Sequence, residues 1–596
     1  MFIRTNKVPS SSGTVHEYVR IVESVREDGR VKQKVIANLG RRDTLEAVLP
    51  MLIQFLRGDK DVLAAIPAGE LSGPVEVEDA STWGPLLVAR HLFEQLGLWQ
   101  ILDAGRRWSK LLPDEDPDDD WGSRVLALLG NRLTRPGSEH ALASWLESFF
   151  VCDRHGRRYL PCWKQQGRVK VDRTQLQRWY RTLDHLYLNK EEIEVALYRR
   201  LRDLFDFSPD LVLYDLTSTY FAGHGPAIAK HGYSRDGKPR DVQIVIGVVM
   251  VAGWPIAHHV WAGNTRDSKT VPEVVEDLRK RFDFRRIVFV GDRGMVTESN
   301  LKELHREEGS GGFLVGMTRR QNPEAEALID RVQEERWIEC SAGINVREKK
   351  EKDRPRTRVQ EVPCDRAGVR VFVVESDERR EYETRMREKS MGRVRSGLER
   401  VQKRVAQGRL KQPEKIGAAV ERVLQANFGY RYYAWELKEG QLCFHEHPVN
   451  LPREKKYEGK YLIQTDQAEI TPENAVAHYK ELNDVERGFR SLKDPLGMRP
   501  IWHHNERRVR AHIFVAALAF LLDRMLERCL RHANSPLSST AAWEALETIR
   551  HVTLRVHDEL RIGISPGSTH ARQVLKALGL TNLRPPQPPL GDETTM

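Results

Sequence analysis

Residues 286–317 read RIVFVGDRGMVTESNLKELHREEGSGGFLVGM. An apolar run closing on Asp292, a helical stretch near 298–307 and a second apolar run at 311–317 describe strand, helix and strand, the unit that builds parallel sheet. Working back, LVLYD (211–215) is a short buried strand ending on Asp215. QIVIGVVMV (243–251) and PIAHHVWAG (255–263) are two more, divided by a turn at Gly253-Trp254, and a helix follows near 270–281. Three successive strands, then alternating helices and strands, predict a mixed α/β sheet whose last strands run parallel. Working forward, YLIQT (461–465) re-enters the core, and a helix begins after the cap-like Thr471-Pro472-Glu473.

The flanks read differently. At 596 residues the chain is too long for one core, and three to five units are expected. YVRIVESVREDGRVKQKVIANLGR alternates apolar and polar residues around Asp28-Gly29, a hairpin signal, and residues 1–70 are read as a small β domain. Residues 71–208 read as an all-α domain, broken by the acidic, solvated loop PDEDPDDD (113–120). The core takes 209–318 and 458–545, with an insertion domain at 319–457. That insertion carries strands and a basic helix, with twelve Lys and Arg against four Glu between Arg379 and Lys411. Met391, Val394, Leu398, Val401 and Val405 give this helix one apolar seam, expected to pack on its own domain. Residues 546–596 are expected to be helical and then, from Thr581, a disordered tail.

Composition narrows the function. Net charge is +10, which favours a polyanionic partner. The most apolar run, Ala511 to Leu522, holds twelve residues, whereas a bilayer span needs roughly 20, so a buried helix is expected and no membrane. The first residues, MFIRTNKVPSSSG, lack an apolar signal core. Six widely spaced cysteines suit neither zinc nor a disulfide scaffold and are expected to be free thiols in the cytoplasm.

Asp215 and Asp292 each close a strand of one predicted sheet. Either alone reads more readily as a cap or turn residue; together they resemble ligand groups, which favour strand ends. In YKELNDVERGFRSLK (479–493), Tyr479, Glu486 and Lys493 are seven apart and fall within about 40° of one another on a helix. Leu482, Val485, Phe489 and Leu492 form the adjoining apolar face, so Glu486 stands at the edge of the face that packs on the sheet. Phosphodiester cleavage needs such carboxylates, converging from separate elements to hold divalent ions.

At these residues the chain resembles the bacterial insertion-sequence DDE transposases with the YREK signature, Y-x2-R-x3-E-x6-K. Tyr479, Glu486 and Lys493 match, while the arginine position is Leu482 and Arg490, one turn past Glu486, is the substitute considered. YDLTSTYF (214–221), HGYSRDGKPRDVQIVIG (231–247), GNTRDSKT (263–270), VGDRGM (290–295) and FRSLKDPLGMRPIWHHNERRVRAHIF (489–514) are similar to the segments around the family's three acidic residues. The resemblance implies a ribonuclease-H-like core with a largely β insertion. It implies Asp215, Asp292 and Glu486 as catalytic metal ligands for Mg2+ or Mn2+, and Tyr479, Lys493 and Arg490 as phosphate contacts. Its substrates would be terminal inverted repeats and target DNA, handled by a homodimer in the synaptic complex at the nucleoid. Trp337 and Trp435 are candidates to stack on a flipped base, core packing being the other reading. The rival functions are a structure-selective nuclease of the same fold and a non-catalytic DNA-binding relic.

Other motifs lead elsewhere. GYSRDGKP (232–239) nearly matches a phosphate loop, but Pro239 replaces the magnesium-binding hydroxyl and a strand follows. His258-His259, His503-His504, Arg499, Arg507, Arg508 and Arg510 are candidates for the catalytic face, and residues 71–208 for a DNA-binding domain, packing or solvated surface being the default reading for each single residue.

Overall fold

The computed structural model describes residues 2–9, 15–27, 30–41, 75–108, 120–159, 164–165, 168–169, 173–207, 211–292, 295, 297–304, 311–319, 322–340, 355–556 and 559–587. The turn expected at 28–29, most of the acidic loop and the end of the tail lie outside them. The alternating N-terminal sequence forms β1 (Phe2–Pro9), β2 (Val15–Glu27) and β3 (Arg30–Arg41), paired antiparallel in that order.

A strand, β4 (Val75–Thr82), then leads into helices α1 (Gly84–Gln95), α2 (Leu98–Trp108), α3 (Trp121–Thr134) and α4 (Leu142–Ser148). After the two-residue strands β5 (Lys164–Gln165) and β6 (Arg168–Val169) come α5 (Arg173–Leu188) and α6 (Lys190–Phe205). Asp120 caps α3, its side chain accepting from the Ser123 N–H.

The core sheet begins with β7 (Leu211–Tyr220), β8 (Gln243–Val251) and β9 (Trp254–Ala262), each antiparallel to the next. After helix α7 (Val271–Phe282) comes β10 (Ile287–Gly291), then α8 (Glu298–Leu304) and β11 (Gly311–Met317). β10 lies parallel to β7, and β11 parallel to β10. The order β11-β10-β7-β8-β9, with three antiparallel strands followed by parallel ones, is the ribonuclease-H-like arrangement. One expectation shifts here: Asp215 does not end its strand, because β7 continues for five residues to Tyr220 through pairing with β8.

The insertion does not stand apart from this sheet. Helix α9 (Pro323–Asp330) precedes β12 (Ile338–Cys340), β13 (Thr357–Val362) and β14 (Arg370–Ser376). Its helical part follows, α10 (Asp377–Ala406) and α11 (Pro413–Ala426), with the hairpin β15 (Tyr433–Lys438) and β16 (Gln441–Glu446) and helix α12 (Asn450–Tyr457). β17 (Lys460–Thr465) then pairs antiparallel with both β11 and β14. β12, β13 and β14 thereby extend the core into a sheet of nine strands among the described residues. Helix outweighs strand in this segment, where a largely β insertion was expected. The seam holds as read: Val394, Leu398, Val401 and Val405 are buried against Ile416, Val420, Leu424, Tyr433 and Leu442, a core separate from that of the sheet.

Two helices complete the core. α13 (Pro472–Lys493) starts at the expected cap, the Thr471 side chain accepting from the Asn474 N–H, and packs against β7, β10 and β11. α14 (Glu506–His532) contains the apolar run 511–522, buried along nearly its whole length. The C-terminal region is not simply helical. After α15 (Ser539–Leu546), β18 (Arg550–Val556) pairs with both β19 (Glu559–Ile564) and β4, nearly 500 residues earlier. Helix α16 (Thr569–Ala577) follows, and the first tail residues are held, since Trp83 Nε1 donates to the Leu583 carbonyl at 2.8 Å.

A buried charge cluster joins the helical segment to the sheet. Glu194 of α6 accepts from His258 Nδ1 on β9 at 2.9 Å, from Arg281 of α7 at 3.0 Å and from Lys190 at 2.7 Å. Burial first, opposed by these partners, acts on its carboxyl, and the net effect is a strong lowering. Burial and the charge of Lys190 pull His258 down to about 4, so its ring is neutral near pH 7. The unfolded imidazole titrates near 6.5, so the stability His258 contributes is complete above that pH and lost as pH falls toward 4. Moving from pH 7.5 to pH 5 should cost on the order of 2 kcal/mol through this group. Thermal unfolding at both pH values should show His258→Gln losing less than the wild type.

Candidate active site

Register brings the two aspartates together. Val288, Phe289 and Val290 of β10 lie beside Leu211, Val212 and Leu213 of β7. Carrying that parallel register on by two residues sets Asp292 beside Asp215, with both side chains on the same face. α13 crosses this face, and Gly488 lets α14 approach closely, since a Cβ there would meet Phe520 at 2.7 Å. Glu486 lies two residues earlier, exposed, with its neighbour Val485 buried.

Asp215, Asp292 and Glu486 line one cleft of about 730 Å³. Asp215 is partly open to solvent yet closely surrounded, and its carboxyl is pushed up to about 7. Burial is the first cause; the Leu216 N–H, 2.7 Å from Oδ1, opposes it, and the negative charges of Glu486 and Asp292 push it further upward. Arg235 acts against the rise. Three acids thus share one electrostatic environment.

The remaining sequence candidates separate. Tyr479 is in the cleft wall, its ring stacked on Tyr461 with centroids 5.9 Å apart. Leu482 also lines the cleft, at the position where the family motif has arginine. Lys493 does not: its side chain is buried, with Nζ 2.6 Å from Asp236 Oδ1, and Arg499 Nη1 reaches the same oxygen at 2.8 Å. Arg490 is exposed on α13 and lies outside the cleft lining. Trp337 and Trp435 also lie outside it. Trp337 packs on a small core under Arg358, whose guanidinium is 4.6 Å from the ring centroid, and Trp435 packs on the helical core of the insertion.

The other basic and histidine candidates mostly hold the fold. Arg508 pairs with Asp184 of α5, and Arg510 with Glu506 and the Val260 carbonyl. His258 belongs to the Glu194 cluster, and His259 faces Asp277 at 3.3 Å. His503 meets Glu139 at 3.4 Å. Glu139, His503 and His512 are the group of metal-ligand types whose ligand atoms all lie within 4.8 Å among the described residues. Both ring nitrogens of His512 are engaged, though: Nδ1 accepts from Arg132 at 3.1 Å and Nε2 donates to the Met498 carbonyl. A guanidinium already supplies the positive charge there, which marks a structural joint between α3 and α14.

Sequence reasoning passed over several cleft residues: Ser376, Glu378, Arg379, Tyr382, Arg385 and Tyr461. The signal for the two arginines is the excess of Lys and Arg from Arg379 onward. Asp236 stood in a quoted block with no role attached.

Residues 206–522 match the family described as transposase DDE domain, just over half of the chain. The chain belongs to the DDE transposases. Residues 3–63 match the IS1634 family transposase N-terminal domain, so this is an insertion-sequence transposase, and DNA is its substrate. The family works with a divalent metal. No curated protein matches the chain. Among solved structures, a piggyBac transposase synaptic complex with hairpin DNA matches over 78% of this chain and 79% of that one, at 10% identity and a TM-score of 0.33. No described helix of the transposase is long and apolar enough to cross a membrane.

A glycine controls the cleft's back wall. A Cβ at Gly316 on β11 would collide with the Tyr479 hydroxyl. Gly316→Ala should push the ring out of place and cost about 1–3 kcal/mol in chemical denaturation, with reduced DNA cleavage.

Proposed function

We propose that Asp215, Asp292 and Glu486 are the catalytic metal ligands of this transposase, and that Mg2+ or Mn2+ is the ion. The observation that carries this is that the three carboxylates line one cleft, where burial first and then the charges of Glu486 and Asp292 push the Asp215 carboxyl up to about 7. Like charges in one cleft are relieved by a cation, and the three acids offer hard oxygen, with neither cysteine nor histidine among the described residues of the cleft wall. When bound, divalent ions offset the charge that develops on a scissile phosphate and ease deprotonation of an attacking hydroxyl or water.

The chain's own residues do the rest. Sheet and helix fix the carboxylates on separate rigid elements, so the reacting phosphate meets a prepared site. Tyr479 forms part of the cleft wall, its ring stacked on Tyr461. Lys493 and Arg499 act behind it through Asp236, which ties the 231–242 loop to the end of α13. The substrates are the element's terminal inverted repeats and then target DNA, and the working unit is a homodimer bridging two ends.

The test is cleavage of a labelled duplex bearing the element's own ends, in Mg2+, by wild type, Asp292→Ala and Glu486→Ala. Wild type should nick at the element end and join it to target DNA. Both variants should bind with unchanged affinity yet cut at least about 100-fold more slowly, a loss of roughly 3 kcal/mol in barrier terms. Cutting at wild-type rates by either variant would remove it from the ligand set. Cleavage without joined product would favour a nuclease of the same fold.

A further inference from the structure

The first turns of α10 enter the cleft, and they bring most of its positive charge. Ser376 caps the helix, accepting from the Arg379 N–H, and Arg379, Tyr382 and Arg385 all line the cleft with the three acids. These positions are three apart, so they lie along one side of the helix. The other cation of the lining, Lys480, donates to Thr357 Oγ1 at 3.0 Å and is committed to the sheet. Arg379 extends over Tyr461, 5.0 Å from the ring centroid, and the Tyr461 ring stacks in turn on Tyr479.

Arg385 differs from its neighbours on this helix. Arg380 pairs with Glu375, Arg387 with Glu458, and Arg379 with Glu383. Arg385 has no ion pair among the described residues, although Glu381 and Glu388 lie within one helical turn. Tyr382 is 58% exposed, a large aromatic surface open to the cleft. A wall with three acids and Glu378 repels a nucleic-acid strand unless cations stand beside it. α13 lines the cleft with Tyr479, Lys480, Leu482, Asn483 and Glu486, and among these described residues its one cation, Lys480, is the one already engaged by Thr357.

We propose that Arg385 and Arg379 bind the phosphodiester backbone of the DNA strand in this cleft, with Tyr382 against a sugar or base, in the role that uncharged Leu482 leaves open. Two guanidiniums neutralise successive phosphates, and an exposed ring adds a stacking surface. The phosphate grip then comes from the inserted segment instead of the helix carrying Glu486. The inference rests on the cleft being the catalytic site.

The experiment measures binding of the labelled end duplex in EDTA across a salt series, and single-turnover cleavage in Mg2+. The proteins are wild type, Arg385→Ala, Arg379→Ala/Arg385→Ala, Arg385→Ala/Leu482→Arg and Asp292→Ala. Arg385→Ala is the clean variant, since it breaks no ion pair. It should reduce the slope of log affinity against log salt by about 0.9, lower affinity several-fold and slow cleavage about tenfold or more. The double alanine variant should lose about twice that slope. Adding Leu482→Arg should restore part of both binding and cleavage, an outcome that a merely structural arginine would not give. Asp292→Ala should keep the wild-type slope while losing cleavage. An unchanged slope and affinity in Arg385→Ala would overturn the proposal. Should Asp292→Ala still cut, the metal-ligand reading fails, and the Arg385 slope alone then decides whether this wall grips DNA.

Discussion

Like charges repel, and the core of this transposase is arranged so that three carboxylates line one cleft in spite of it. No local interaction among Asp215, Asp292 and Glu486 would assemble them; the charges of Glu486 and Asp292 add to the upward push that burial gives the Asp215 carboxyl. What holds them is backbone register. The parallel pairing of β10 with β7 sets two aspartates side by side, and α13, fixed on the same face by Val485, Phe489 and Leu492, adds the glutamate. Burial of the sheet and of α14 provides the favourable free energy, and the cleft is where part of it offsets electrostatic strain.

The same constraint explains why the insertion joins the sheet instead of hanging from it. β12, β13 and β14 continue the hydrogen-bonded ladder through β17, so α10 emerges from the sheet at a defined place and enters the cleft in its first turns. Further along, α10 leaves the core and builds a second one with α11 and the β15–β16 hairpin. One continuous helix therefore links the cleft to a separately packed unit.

Buried ion clusters serve as joints between the parts. Glu194 joins α6, β9 and α7; Asp236 joins the 231–242 loop to Lys493 and Arg499; Glu139 and His512, with Arg132 and His503, join α3 to α14. Such charges are costly to bury and are tolerated where each has partners, and they fix relative position better than apolar contacts, which permit sliding. Several were candidates for contact with DNA on sequence grounds. Sequence shows a residue's charge but not its counter-ion, and the counter-ion decides whether that charge faces solvent.

The sequence by itself determined what is periodic or local. The strand and helix order of 286–317, the cap at Thr471, the buried run in α14 and the seam of α10 follow from side-chain alternation, capping chemistry and heptad-like spacing, all short-range properties. It also set Asp292 at the end of its strand and Glu486 at the edge of its helix's packing face, whereas Asp215, expected at a strand end, lies mid-strand. Tertiary structure alone decided the rest. The partnership of β18 with β4, the extension of the sheet by β12 to β14, the engagement of Lys493 by Asp236 and the entry of Arg379, Tyr382 and Arg385 into the cleft all join residues far apart in the chain. Contacts of that kind are selected by the packing of whole elements, which no local pattern encodes.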